Sequence, residues 1–218
     1  MTTAIRAILG ILAGGLAALA GVLTAPAADR AGAFDYYVLA LSWTPSWCER
    51  EGDARGAPAC RDGAGRGFVL HGLWPQHEDG WPEYCATAAR DATRAETARM
   101  ADIMGSAGLA WHQWKKHGRC SGLSAHNYCA PSRHAYRSVV RPEVLRRLDE
   151  AVRIDPDVVE AAFLEANPDL APEHLVVTCR EGLIAEARLC LTRGLEPRPC
   201  SGPAASACTR PARFPPMR

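Results

Sequence analysis

Two short segments of this chain concentrate imidazoles and indoles: His71-Gly72-Leu73-Trp74-Pro75 and His112-Gln113-Trp114-Lys115-Lys116-His117-Gly118-Arg119-Cys120. The second reads as a helix. At about 100° per residue, His112, Gln113, Lys116 and His117 fall on one face, at roughly 0°, 100°, 40° and 140°. Trp114 and Lys115 point elsewhere. Two imidazoles, an amide and an ammonium converging on one surface can grip an anion and move protons around it. Lysine usage adds to this, because the chain holds 23 arginines and only two lysines, at 115 and 116. A face needing positive charge alone would be arginine in such a chain. Lys116 fits a place where a compact ammonium meets a crowded oxyanion.

A single histidine is ordinarily a hydrogen-bonded core residue. Three of them with a lysine, in two tryptophan-framed segments, are not explained that way. His112 and His117 are five apart rather than the four of a helical zinc pair, and H-E-x-x-H is absent. A zinc site joining them to His71 stays open as the alternative. His77, His126, His134 and His174 lack the framing and read as surface residues.

The elements that must hold these side chains follow from pattern. Phe34 to Trp43 is aromatic and β-branched and reads as a strand, and Phe68 to Trp74 as a second, buried one. Thr44 to Gly67 reads as loop. Thr87 to Met104 has a helical period stopped by Gly105, and residues 108–117 form a shorter helix closed by Gly118. Ser132 to Val140 and Glu143 to Ile154 read as helical pieces around Pro142, and Asp155-Pro156 opens another helix. Leu175 to Cys179 and Leu183 to Thr192 flank an Arg-Glu-Gly turn as a hairpin, and the Pro-rich C-terminus reads as loop. The irregular interleaving predicts an α+β fold.

The chain has 218 residues, 48% of them apolar and 22% charged, enough for one domain with a sizeable core. A formal net charge of +1 excludes a highly basic nucleic-acid coat protein, but not an enzyme with a local positive site. At the N-terminus Arg6 precedes an apolar run from Ala7 to about Leu23, followed by Ala25-Pro26-Ala27-Ala28. That is the order of a secretory signal peptide over residues 1–28, cut after Ala27, Ala28 or Ala33. A transmembrane anchor is the weaker alternative, and the mature chain is expected off the membrane. Nine cysteines in an exported chain are disulfide candidates, and the odd number leaves one thiol over.

The sequence resembles the ribonuclease T2 family, secreted endoribonucleases that use no metal. HGLWP and H-x-W-x-K-H-G-x-C are that family's two active-site segments, here in order and about 40 residues apart, with upstream support from residues 41–49. The resemblance implies one catalytic domain over residues 29–218, α+β, with a central antiparallel sheet and several helices packed around it. It implies a monomeric, secreted or periplasmic enzyme acting on single-stranded RNA, with no cofactor and no metal. It gives His117 as general base on the ribose 2′-hydroxyl, His71 as general acid, His112 as phosphate holder and Lys116 as the charge stabiliser. Products would be 2′,3′-cyclic phosphates and then 3′-phosphates, with low base specificity. It places a base site around Trp74, Gln76 and Trp81; the other tryptophans read as core. The family pairing implies Cys48–Cys60, Cys85–Cys120, Cys179–Cys208 and Cys190–Cys200, leaving Cys129. One departure stands out: the family usually has Glu where this chain has Gln113. A carboxylate would raise the proton affinity of neighbouring imidazoles and an amide does not. The alternative reading is therefore a catalytically impaired RNA-binding relative.

Overall fold

The computed structural model describes residues 29–218. The expected signal peptide, residues 1–28, lies outside the described residues. Six strands form one sheet: β1 (Tyr36–Trp43), β2 (Phe68–Gln76), β3 (Val152–Ile154), β4 (Leu175–Arg180), β5 (Leu183–Leu191) and β6 (Ala212–Phe214). Its order is β2-β1-β5-β6-β3, with β4 paired to β5 off that path. Pairing is antiparallel apart from one parallel bridge, Leu183 to Arg213. The β4–β5 hairpin turns on Glu181 and Gly182, both at positive φ (53° and 77°), as a two-residue turn matching strand twist requires.

Side-chain alternation along β1 divides the molecule. Tyr37, Leu39, Leu41 and Trp43 face the main core, which they share with Leu73, Leu189, Trp114 and Phe163. Tyr36 and Val38 face the opposite way, into a smaller cluster with Cys190, Ala204 and the partly buried Trp74. The helices are α1 (Thr44–Trp47), α2 (Arg94–Ala98), α3 (Ala101–Met104), α4 (Ala107–Lys116), α5 (Ala125–Ser138) and α6 (Pro156–Ala166). At the C-terminus Phe214 stacks on Trp43 at 4.3 Å, which ties β6 into the core.

Several expectations change. Thr87–Met104 is not one helix: it starts at a capping box, Thr93 and Glu96 bonding each other's backbone N–H, and breaks between α2 and α3. Residues 143–154 are a short 3-10 turn followed by β3, because Val152–Ile154 finds a partner in β6, a strand inside the expected C-terminal loop. The helix expected from Ser132 starts at Ala125, where the Ser124 hydroxyl accepts the Asn127 N–H, and Pro131 lies inside it. Thr44–Gly67 carries α1, a π-helical turn at Cys48–Gly52 and a 3-10 turn at Pro58–Cys60. Gly118 is no left-handed cap. A Cβ there would stand 2.7 Å from the Tyr128 ring and 2.8 Å from Trp114, so close packing demands the glycine. No helix of the described residues is long and apolar enough to cross a membrane.

Candidate active site

The register of β2 explains how His71 reaches the surface. Ala40 pairs with Gly72 and Leu41 with Leu70, so His71 is the extra residue of a β-bulge. In a regular ladder His71 would oppose Leu41 and enter the core. The bulge lets Leu70 and Leu73 both face the core while His71 turns to the other side.

On that side lies an open cleft of about 850 Å³, lined by His71, Trp74, His112, Gln113, Lys116 and His117. Both sequence motifs therefore meet in one place. Gln76, Trp81 and Arg188 also line it. Trp81 is 49% exposed, so it is not core, whereas Gln76 is buried and donates through Nε2 to the Pro75 carbonyl at 2.8 Å. Trp74 lies between the two imidazoles, its ring 5.1 Å from that of His71 and 5.1 Å from that of His117. Arg188 lies over the same indole at 5.4 Å.

Trp74 Nε1 donates to Gln113 Oε1 at 2.6 Å. An indole N–H can only donate, so this bond fixes the amide with its oxygen inward. A Cβ on Gly72 would stand 2.2 Å from Trp74 Nε1 and 2.5 Å from Gln113 Oε1, which is why glycine follows His71.

His117 is the C-cap of α4 and its backbone N–H bonds the Gln113 carbonyl. Its ring is buried, and Nδ1 has no hydrogen-bond partner. Burial, then the charges of Lys116, His71 and His112, push its pKa down from 6.5 to about 3. It is a neutral imidazole over most of the pH range. His71 has the opposite company: Nδ1 lies 2.5 Å from Glu186 Oε1. Burial of Glu186 opposes its ionisation, but the hydrogen bond and charge of His71, with Arg188, hold its carboxyl at about 2.

Lys116 pairs with Glu83 at 3.2 Å, and His112 is exposed at the rim. Lys115 turns away to Asp91 and over the exposed Trp111, which the sequence placed in the core. Trp43 and Trp114 are core; Trp47 is half-buried. His126 and His134 are exposed, while His77 and His174 are half-buried, His174 accepting the Ala171 N–H through Nδ1.

Disulfides join Cys48–Cys60, Cys85–Cys120, Cys179–Cys208 and Cys190–Cys200, and Cys129 is free on α5. Cys85–Cys120 ties the loop after β2 to the turn after α4, beside the Tyr84 N–H bond to the Lys116 carbonyl. Among the described residues the trio whose ligand atoms approach within 4.8 Å is Cys48, Asp53 and Cys60. Two of these sulfurs are bonded to each other, and none of the three lines the cleft. Sequence reasoning missed Glu186, Arg188 and Glu83.

The family model described as "Ribonuclease T2 family" matches residues 34–200. The chain belongs to the ribonuclease T2 family. A ribonuclease of Aeromonas hydrophila is 43% identical over 119 residues, covering 50% of this chain and 52% of that protein. Ribonuclease S-2 of Antirrhinum hispanicum is 27% identical over 196 residues, 78% of this chain and 77% of that one. The chain spans about half the length of the first curated relatives it matches. The RNase-related protein from Calystegia sepium shares the T2 fold, with a TM-score of 0.66 at 19% identity over 85% of this chain and 98% of that one. RNase NT, solved in complex with 5′-AMP, superposes with a TM-score of 0.63 at 22% identity, over 84% and 98%.

Proposed function

We propose that this chain is an endoribonuclease that cleaves single-stranded RNA by transphosphorylation. The observation carrying this reading is the asymmetry of two imidazoles in one cleft: His117 buried, beside cations and neutral, His71 bonded to a carboxylate. A buried imidazole held neutral and an imidazole bonded to a carboxylate divide base from acid. His117 takes the proton of the ribose 2′-hydroxyl, whose oxygen attacks the adjacent phosphorus. The P–O5′ bond breaks as His71 delivers a proton to the departing 5′-oxygen. The product is a 2′,3′-cyclic phosphate, and the roles reverse when water opens it to a 3′-phosphate. His112 and Lys116 hold the phosphoryl oxygens, and the Gln113 amide nitrogen, turned away from Trp74, donates a further bond.

Trp74, gripped between the two histidines and Arg188, orders the proton-transfer groups. Trp81, exposed at the cleft, is the ring on which a base stacks, and Gln76 shapes that end with low base specificity. The domain spans residues 29–218 and works as a monomer, without metal, after secretion or export to the periplasm. Four disulfides support that location.

The test is purified protein on a dinucleoside monophosphate with chelator present, beside its 2′-deoxy counterpart. Cleavage of the ribo-substrate alone, through a cyclic phosphate, is expected. Binding without turnover would establish the impaired relative instead, and loss of activity with EDTA that zinc restores would overturn the metal-free mechanism.

A further inference from the structure

Glu186 sits in the middle of β5, a largely apolar strand, at 8% exposure. Buried carboxylates are tolerated only when fully bonded. This one accepts from Ser42 Oγ at 3.2 Å on Oε1, and from Arg188 Nε and Nη2 at 2.8 and 2.7 Å on Oε2. The remaining contact of Oε1 is His71 Nδ1, at 2.5 Å. The sheet builds this arrangement. Across β1, Ser42 opposes Glu186 and Ala40 opposes Arg188, while Ala40 opposes Gly72, beside the bulge, on the other side. Small residues on β1 leave room for the carboxylate to reach over that strand to the imidazole.

We propose that Glu186 is a positioning residue for His71: its carboxylate keeps a proton on Nδ1 and aims Nε2, the far ring nitrogen, at the leaving 5′-oxygen. Arg188 and Ser42 hold the carboxylate in turn. The proposal rests on the ribonuclease reading. An acid imidazole carries protons on both nitrogens. When Nε2 gives up its proton to the 5′-oxygen, Nδ1–H stays bonded to Glu186, and the ring is left as the tautomer whose Nε2 can accept a proton from water in the second step. The other charged and titratable groups facing the cleft are Arg188 from β5, and His112, Lys116 and His117 from α4 and its cap. None of these is an anion. Glu83 is engaged by Lys116. Glu186 is therefore the negative charge in contact with the ring that must become an imidazolium.

The experiment compares wild-type protein, Glu186→Gln, and the double variant Glu186→Gln/Arg188→Gln, which removes the guanidinium that the single change leaves unpaired. Each is assayed for kcat and KM on a dinucleoside monophosphate across pH, and the His71 ring nitrogens are followed by NMR. The expected result is a fall in kcat of about 100-fold in both variants, with KM retained. The alkaline limb should move to lower pH, because an imidazolium without its carboxylate loses its proton sooner. The Nδ1 resonance of His71 should change in parallel. Folded variants with an unmoved limb and an unmoved His71 resonance would make Glu186 a structural anchor and overturn the proposal. Inactive wild-type protein would overturn the ribonuclease reading instead, while the His71 titration would still decide what Glu186 does to the ring.

Discussion

The indole N–H of Trp74 bonds the side-chain oxygen of Gln113 at 2.6 Å, so the two histidine-bearing segments are joined side chain to side chain inside the cleft. Gln113→Glu keeps an acceptor for Trp74 and adds a buried negative charge one turn from His117. That charge favours protonation of the ring. The acid limb of kcat/KM should move to higher pH, and a pH–rate profile on the dinucleotide that stays in place would contradict the electrostatic reading of position 113.

Gly72→Ala drives a methyl group into both partners of that bond. Overpacking of this kind costs roughly 1–3 kcal/mol. The variant should melt at lower temperature and lose turnover together, since Trp74 also separates the two imidazoles. A variant that is less stable yet fully active would show that Trp74 does not order them.

His117 sets the behaviour in acid. With a pKa of about 3 it stays neutral in folded protein at pH values where an unfolded histidine, near 6.5, is charged. Between those values the unfolded chain binds the extra proton. The stability owed to a neutral His117 is therefore whole above about pH 6.5 and is lost as pH falls towards 3, by about 1.4 kcal/mol per unit. Melting temperatures of wild type and His117→Gln between pH 4 and 7 check this, the variant being the flatter. In kinetics, a bound phosphate favours the imidazolium, so the acid limb of kcat should lie above that of kcat/KM.

Glu83 competes with the phosphate for Lys116. Both groups are partly exposed, and such pairs contribute little, within about 1 kcal/mol. Glu83→Gln should lower KM by roughly 2- to 5-fold at low salt, with the gain shrinking at high ionic strength. A raised KM would mean that Glu83 presents the lysine instead of occupying it.

The Cys85–Cys120 bridge closes a loop with a sequence separation of 35. In the chain-entropy model, opening it costs about 4 kcal/mol. Cys85→Ser/Cys120→Ser should lower the denaturation midpoint by a matching amount and weaken activity further than Cys179→Ser/Cys208→Ser, because only the first pair joins the two segments that line the cleft.

The sequence made the two motifs and their shared face legible because each is local: α4 needs only its own periodicity to gather His112, Gln113 and Lys116. Glu186 was not legible, since it reaches His71 from 115 residues away and across an intervening strand. Its one signal was two charges, Glu186 and Arg188, on the same face of an otherwise apolar strand. Residues 152–154 were misread for a similar reason, because what makes them a strand is their partner at Ala212–Phe214. Trp111 looked like core by type alone, yet its place on α4 turns it outward, under Lys115.

The extra residue at position 71 gives a last consequence. Excising it would leave Leu70 opposite Leu41 and Gly72 opposite Ala40 in an uninterrupted ladder, with every apolar contact of β2 in phase. The shortened chain would keep the strand in phase but take the imidazole from the buried Glu186 and do no chemistry. Reactivity thus depends on one irregular residue of one strand, which the ladder alone does not require.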